Sequence, residues 1–132
     1  MKTKTILLSL FVLISLITFD SCKKYPDGPM LSLRTKTARV SNVWKVEKCT
    51  KNGSDITASK TDRTYEFRKD GAFIYTSGSK TEQGSWAFIN KKEWLDVKTS
   101  DPFKWEILRL KEKEMWVREN DGDIFEYHLV PR

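Results

Sequence analysis

Few residues of this chain have the types and spacing that catalysis or metal binding requires. His128 is the single histidine, and the chain holds only two cysteines, too few to form a zinc site without added carboxylates. The segment Asp121-Gly122-Asp123 could suggest calcium, but no Glu stands at the twelfth position of a loop that begins at Asp121. A hairpin turn explains this segment better. We therefore predict no enzyme activity, no metal site and no cofactor.

The N-terminal segment has the order of an export signal. Lys2 and Lys4 precede fourteen uncharged, largely apolar residues, 6–19. As a helix this stretch would be roughly 21 Å long, short for a bilayer core of about 30 Å. A basic start, a short apolar stretch and a small residue at its end are typical of a cleaved signal. We predict that residues 1–21 are a signal peptide.

A cysteine stands directly after this segment. Ser21-Cys22 resembles the end of a bacterial lipoprotein signal, in which the cysteine after the cleavage site receives lipid and becomes the first residue. The resemblance implies lipidation of Cys22 and anchoring through several acyl chains, since one chain binds a membrane only marginally. Soluble export is the alternative, and a Cys22–Cys49 disulfide would then become possible in an oxidising compartment.

The basic surplus of the chain lies beside this cysteine. Residues 23–51 hold eight Lys or Arg against two acidic residues, whereas residues 52–132 hold 14 against 15. Clustered cations near an anionic lipid surface attract it, although ordinary solvated charge is an equal alternative. Export and the mixed signs beyond Lys51 argue against nucleic acid as a partner. The prolines and glycine of residues 22–32 predict a flexible tether.

The body of the chain, residues 33–132, alternates apolar and polar residues with turn signals between the runs. Asp70-Gly71 is a strong hairpin signal, and polar turns follow at Asn90 and Asn120. Alternation with one apolar face is typical of antiparallel sheets. We predict eight short strands: 42–48, 64–68, 72–76, 84–89, 93–97, 103–110, 114–119 and 123–130. Residues Leu33, Thr37 and Val40 predict one short helical turn before them, with Ser32 as its N-cap.

Eight sequential antiparallel strands without a long crossover predict an all-β, up-and-down barrel, since closure removes the unpaired sheet edges. Here the chain resembles the lipocalin-like domains of exported bacterial lipoproteins. The resemblance covers roughly Leu33 to Arg132 and depends on "SNVWKVEK", the strand rhythm and the hairpin-rich end. Trp44 matches the Trp that packs across the closed end of such barrels, and the resemblance implies that structural role.

The predicted interior is crowded with aromatic side chains. An eight-stranded barrel is just wide enough to be filled by side chains or to hold one small ligand. Core packing is the first interpretation of these residues, and ligand contact is the second. The candidates for ligand contact are Tyr65, Phe73, Tyr75, Trp86, Trp105 and Tyr127. The full inward set adds Trp44, Phe67, Phe88, Phe103 and Phe125.

We expect a lipoprotein anchored in the bacterial cell envelope, with the outer membrane favoured. Its expected partners are the membrane, through the lipid on Cys22, and a small hydrophobic ligand carried in the barrel. The alternative is a cavity-free, non-enzymatic barrel that docks to another envelope protein. No nucleic acid partner is expected.

Overall fold

The structure is a computed structural model that describes residues 34–132. The predicted signal peptide, Cys22 and the tether to residue 32 lie outside the described residues. One short helix, a 3₁₀ turn at Thr57–Ser59 and nine strands follow one another along the chain. Their bounds are α1 (Lys36–Val40), β1 (Asn42–Lys51), β2 (Ser54–Asp55), β3 (Arg63–Phe67), β4 (Ala72–Ser77), β5 (Lys80–Ile89), β6 (Trp94–Lys98), β7 (Phe103–Lys111), β8 (Glu114–Asp121) and β9 (Asp123–Pro131).

Eight of these strands close into an antiparallel barrel. Each strand from β3 to β9 pairs with the next, and β1 closes the ring by pairing with β3 through Asn42–Lys45 and with β9 through Trp44–Lys51. The two-residue β2 only extends the end of β1 as a small hairpin. The predicted lipocalin-like barrel of eight antiparallel strands, preceded by one short helical turn, is confirmed.

Helix α1 lies against one end of the barrel, which we call the closed end. The hydroxyl of Thr35 accepts a hydrogen bond from the backbone N–H of Ala38 at 3.1 Å, so Thr35 is the N-cap of the helix. A side-chain oxygen that accepts from the first turn in this way is typical of an N-cap. The predicted cap, Ser32, lies outside the described residues. The Arg39 guanidinium donates to the carbonyl of Leu110 at 3.0 Å and fixes the helix to β7.

The core fills the closed end and the middle of the barrel. Trp44 is fully buried, and its indole N–H donates to the carbonyl of Val40 at 2.8 Å, which joins β1 to the helix. The structural role that the resemblance implies for Trp44 stays a prediction. All eleven aromatic residues predicted to face inward belong to the core or pack against it.

Two strands break the simple alternation. A register shift in β1 between Val46 and Lys48 turns the next inward position to Cys49, and a shift in β7 after Ile107 brings Leu110 inward. Each bulge adds one residue to a strand and bends it. Both irregularities leave the barrel closed and allow Cys49 and Leu110 to be fully buried.

No helix within residues 34–132 has the length and apolar character that crossing a membrane would need.

Candidate functional site

A cavity of about 330 Å³ occupies the end of the barrel opposite α1, which we call the mouth. It lies between the starts of β3, β5 and β7 and the ends of β4 and β8. The interior beneath it is filled by fully buried side chains, among them Trp44, Phe67 and Leu129. The barrel therefore holds a shallow cup at its mouth instead of a deep central channel.

Aromatic rings form the floor of this cavity. Tyr65 lies at the centre, with its ring centroid 4.9 Å from that of Trp105 and 5.3 Å from that of Tyr75. Tyr127 packs at a tilt against Trp105 with centroids 5.4 Å apart, and its centroid lies 6.3 Å from that of Tyr65. Phe103 completes the row at 4.9 Å from Trp105. Tilted and edge-on contacts of this kind stabilise aromatic clusters, so the floor is held in a defined shape.

The walls of the cavity are polar and charged. Four carboxylates and two basic side chains line it. The carboxylates are those of Glu82, Asp101, Glu119 and Asp121, and the basic residues are Arg63 and Lys80. The indole N–H of Trp105 donates to a carboxylate oxygen of Glu119 at 2.8 Å, which joins the floor to the wall. Glu82 accepts hydrogen bonds from the backbone N–H and the hydroxyl of Ser100, and these bonds fix the β6–β7 loop at the rim.

Arg63 is the basic group nearest the tyrosines. Its side chain is partly buried, and the hydroxyl groups of Tyr65, Tyr75 and Tyr127 are close enough to act on its charge. Within residues 34–132 it forms no ion pair, and its Nε atom has no hydrogen-bond partner. A half-buried guanidinium without a carboxylate partner is costly unless another acceptor compensates it. The Tyr65 hydroxyl accepts one hydrogen bond from this guanidinium, so its remaining donors, Nε among them, are the ones suited to an acceptor on a bound molecule.

The two most buried tyrosines stay neutral over the ordinary pH range. Burial raises the pKa of Tyr65 and of Tyr127 above the usual tyrosine value, because the phenolate would lose its hydration. Their hydroxyl groups can then donate as well as accept hydrogen bonds. The cavity consequently offers aromatic faces, neutral hydroxyls and one guanidinium to a ligand.

Five of the six predicted ligand-contact residues meet at this cavity, namely Tyr65, Phe73, Tyr75, Trp105 and Tyr127. The sixth, Trp86, does not line it. Its indole N–H donates to the carbonyl of Arg68 at 2.8 Å, and its ring packs edge-on against Phe67 near the closed end. Contact of the five with a ligand stays a prediction. Arg63 and Glu119 were not predicted from the sequence. Their only signal was a charged residue at an inward position of the alternation.

The remaining chemistry-bearing residues lie elsewhere. His128 faces outward on β9, as the alternation predicts, and stacks on Trp116 with centroids 3.9 Å apart. Cys49 is a buried free thiol, and burial raises its pKa. Asp121-Gly122-Asp123 forms the turn between β8 and β9. No cluster of three or more His, Cys, Asp or Glu residues suited to a metal ion occurs between Arg34 and Arg132.

A solved structure has the same architecture as this barrel. It is a lipocalin-like protein from Bacteroides uniformis ATCC 8492, with a TM-score of 0.58 and 13% sequence identity. The similarity covers 71% of this chain and 99% of that chain. This chain has a lipocalin-like fold. No protein-family model matches the sequence, and no curated protein matches it. At this level of identity the similarity shows the fold alone, and a lipocalin-like barrel is compatible with small-ligand binding without catalysis.

Proposed function

We propose that the protein binds one small amphipathic molecule in the cavity at the mouth, without transforming it. The observation that carries this proposal is the cavity itself, where an otherwise filled barrel leaves about 330 Å³ open above a floor of tyrosines and Trp105. Ligand sites are commonly concave, largely preformed, and combine aromatic surface with a few placed polar groups. The mouth has all of these features.

The volume and depth of the cavity select for a compact ligand. Small-molecule pockets span about 300–1,000 Å³, so this one is near the lower limit. Phe67 and Phe73 lie beneath the open part of the cavity and are almost wholly inaccessible to solvent, so no water-sized channel continues past them for an extended acyl chain. A molecule with one flat ring system fits the floor better than a lipid tail.

The charges of the wall refine the ligand class. Aromatic faces contribute apolar contact area, while Arg63 and the neutral hydroxyls of Tyr65 and Tyr127 provide donors on one side. A ring with a hydrogen-bond acceptor on its edge would use both features. The sequence pattern suggested a hydrophobic ligand. A wholly apolar molecule would leave the charged groups of the wall without a role, so we favour an amphipathic ligand.

We further propose that this binding protein is anchored in the cell envelope. The support is the order of Lys2 and Lys4, the apolar residues 6–19, and Cys22. The described domain begins only twelve residues after Cys22, a distance of roughly 40 Å at full extension. A lipid on Cys22 would therefore keep the barrel close to a membrane, with the outer membrane favoured.

A second candidate is a module that docks to another envelope protein. The observation that favours it is the solid packing of the closed end and the middle of the barrel, where Trp44, Phe73 and Leu95 are wholly inaccessible to solvent. In this alternative the cavity at the mouth is only a consequence of barrel closure.

Native mass spectrometry of the protein purified from the envelope of its own host separates the two candidates. The proposal predicts a stoichiometric small molecule that remains bound to the protein. A bare protein that recovers one partner protein in the same preparation would favour the docking module instead.

The cavity is tested with matched variants against the recovered molecule. Arg63→Gln and Tyr75→Leu change the wall and the floor, whereas Arg68→Gln makes the same arginine change outside the cavity and Phe88→Leu removes another partly buried aromatic ring there. We expect at least about tenfold weaker binding for the first pair, which corresponds to about 1.4 kcal/mol, and unchanged binding for the second. Equal binding by all four variants would contradict the proposed site.

A further inference from the structure

The two ends of the barrel carry different charge. The closed end is formed by residues 34–41, the turns 68–71, 90–93 and 111–114, and the C-terminal residues 131–132. These segments hold ten Lys or Arg and four Asp or Glu. The segments at the mouth, 51–62, 77–80, 98–103 and 121–123, hold four basic and five acidic residues. The barrel is therefore basic at one end and close to neutral at the other.

Most of the basic residues at the closed end are exposed. The exposed ones are Arg34, Arg68, Lys69, Lys91, Lys92, Lys113 and Arg132. Three acidic residues, Asp70, Glu93 and Glu112, share that exposure. Since cations outnumber anions by more than two to one among the exposed side chains, the potential over this end is positive.

The turn between β5 and β6 presents two of these lysines in an unusual backbone conformation. Asn90, Lys91 and Lys92 have φ angles of +50°, +57° and +64°. A left-handed conformation costs a residue other than glycine roughly 1–2 kcal/mol, and it is seldom adopted by three such residues in a row. Lys36 on α1 donates to the carbonyl of Lys92 at 2.8 Å, which helps to hold the turn. Such strain is commonly retained at functional positions.

The chain enters the domain at this same end. Arg34 begins the described residues, and its guanidinium lies 3.9 Å from the carboxylate of Glu112 in the β7–β8 turn. Any anchor in the residues before Arg34 would therefore pull the closed end, not the mouth, toward its attachment point. The attraction of a cation to an anionic membrane surface acts within a Debye length of about 8–10 Å, so it requires this proximity.

We propose that the closed end of the barrel rests on an anionic lipid surface, so that the mouth faces away from the membrane. Lys91, Lys92 and Lys113 then contact phosphate-bearing headgroups, while the cavity opens into the aqueous compartment. A ligand would reach the cavity from solution and not by lateral entry from the bilayer. This orientation does not depend on the identity of a ligand, so it can fail while ligand binding at the mouth holds.

Vesicle binding by residues 23–132, without the cysteine that would be lipidated, tests the surface. The barrel closes within residues 42–131, and every buried apolar residue of the described part lies between Val40 and Leu129, so this chain is expected to fold. We expect co-sedimentation with phosphatidylglycerol-containing vesicles that is lost in high salt, and none with pure phosphatidylcholine vesicles.

A matched pair of double variants locates the contact. Lys91→Gln with Lys92→Gln should weaken vesicle binding by about 10- to 30-fold. Lys80→Gln with Lys98→Gln removes the same charge at the mouth and should leave binding unchanged. If both double variants lost vesicle binding equally, binding would depend only on the net charge of the protein, and the proposal would be overturned. Binding to a DNA duplex without binding to anionic vesicles would also overturn it.

A fluorophore on a single introduced cysteine measures the orientation directly. Cys49 is fully buried and should stay unlabelled. A label at Glu112→Cys, on the closed end, should be quenched strongly by a quencher attached to lipid headgroups, and one at Ser79→Cys, at the mouth, only weakly. Equal quenching at the two positions, or the reverse order, would rule out the proposed orientation.

Discussion

Trp44 connects strand β1 to helix α1, because it is wholly buried on β1 and its indole N–H donates to the carbonyl of Val40, the last residue of the helix. Replacement by Ala would remove a large ring from a filled space, and we expect a loss of about 3–5 kcal/mol in the free energy of unfolding. Urea unfolding of residues 23–132 measures this change. Trp94→Ala is the matched control, since Trp94 is only partly buried on β6, and its loss should cost clearly less. If both substitutions lowered the free energy of unfolding equally, the proposed structural role of Trp44 would be wrong.

Tyr65 and Tyr127 make stability sensitive to alkaline pH. Burial raises the pKa of both in the folded state, whereas an unfolded tyrosine titrates near pH 10. Below that pH both states are protonated and the tyrosines add no pH dependence. Above it the unfolded state loses protons that the folded state retains, so stability falls by up to about 1.4 kcal/mol per pH unit for each tyrosine.

Unfolding midpoints measured between about pH 8 and about pH 11 check this prediction. The double variant Tyr65→Phe with Tyr127→Phe lacks both titrating groups and should lose less stability over that range. A variant whose decline matches that of the unchanged protein would show that other groups cause it.

Strand order and the inward aromatic faces could be predicted from the sequence because a period of two and short turns leave few alternatives. The two bulges could not. In β1 the simple alternation from Trp44 and Val46 would bury Lys48, and in β7 it would bury Arg109. Each strand contains one extra residue at its bulge, so that Cys49 and Leu110 face inward instead. The sequence did contain a signal for each bulge: a charged residue stands where the alternation expects an inward one, and an apolar residue follows it directly.

Gly84 on β5 is the tightest point between neighbouring strands. A Cβ atom there would lie 2.0 Å from the carbonyl oxygen of Lys98 on β6, a contact that backbone atoms can relieve only by moving. We expect Gly84→Ala to destabilise the barrel by roughly 1–3 kcal/mol, as overpacking does. Gly53→Ala is the control, because no atom lies within 4 Å and only its φ of +85° opposes the change. Thermal unfolding of both variants compares the two costs, and an intact Gly84→Ala protein would contradict the tight approach.

At the scale of the whole molecule, the sequence predicted which aromatics face inward but not how far they fill the barrel. That outcome depends on how rings such as Tyr65 and Trp105 tilt against each other, which a one-dimensional pattern does not contain. The distribution of charge over the surface could not be predicted either, because it depends on which turns the fold brings together. The basic surplus of the sequence lies in residues 23–51, yet the fold brings the lysines of three later turns to the closed end, beside the basic residues of 34–41.

Lipidation of Cys22 stays a prediction, and the mature N-terminus tests it. Mass spectrometry of the protein isolated from its host should show Cys22 as the first residue, carrying several acyl chains. The same protein with Cys22→Ser should be recovered without lipid and away from the membrane fraction. An unmodified amine on Cys22 would contradict anchoring, and it would leave soluble export as the better interpretation of residues 1–21.

The pairing of β1 with β9 has a consequence for when the chain can fold. Val46 pairs with Leu129 and Lys51 with Phe125, so the strand made first during synthesis is joined along most of its length to the strand made last. Contacts so distant in sequence are slow to form, because the entropy of a long loop must be lost before they stabilise anything. The ribosome must release nearly the whole chain before the ring can close. A nascent chain of this topology therefore keeps its barrel open until its synthesis is nearly complete, which is the state that the proposed export would require.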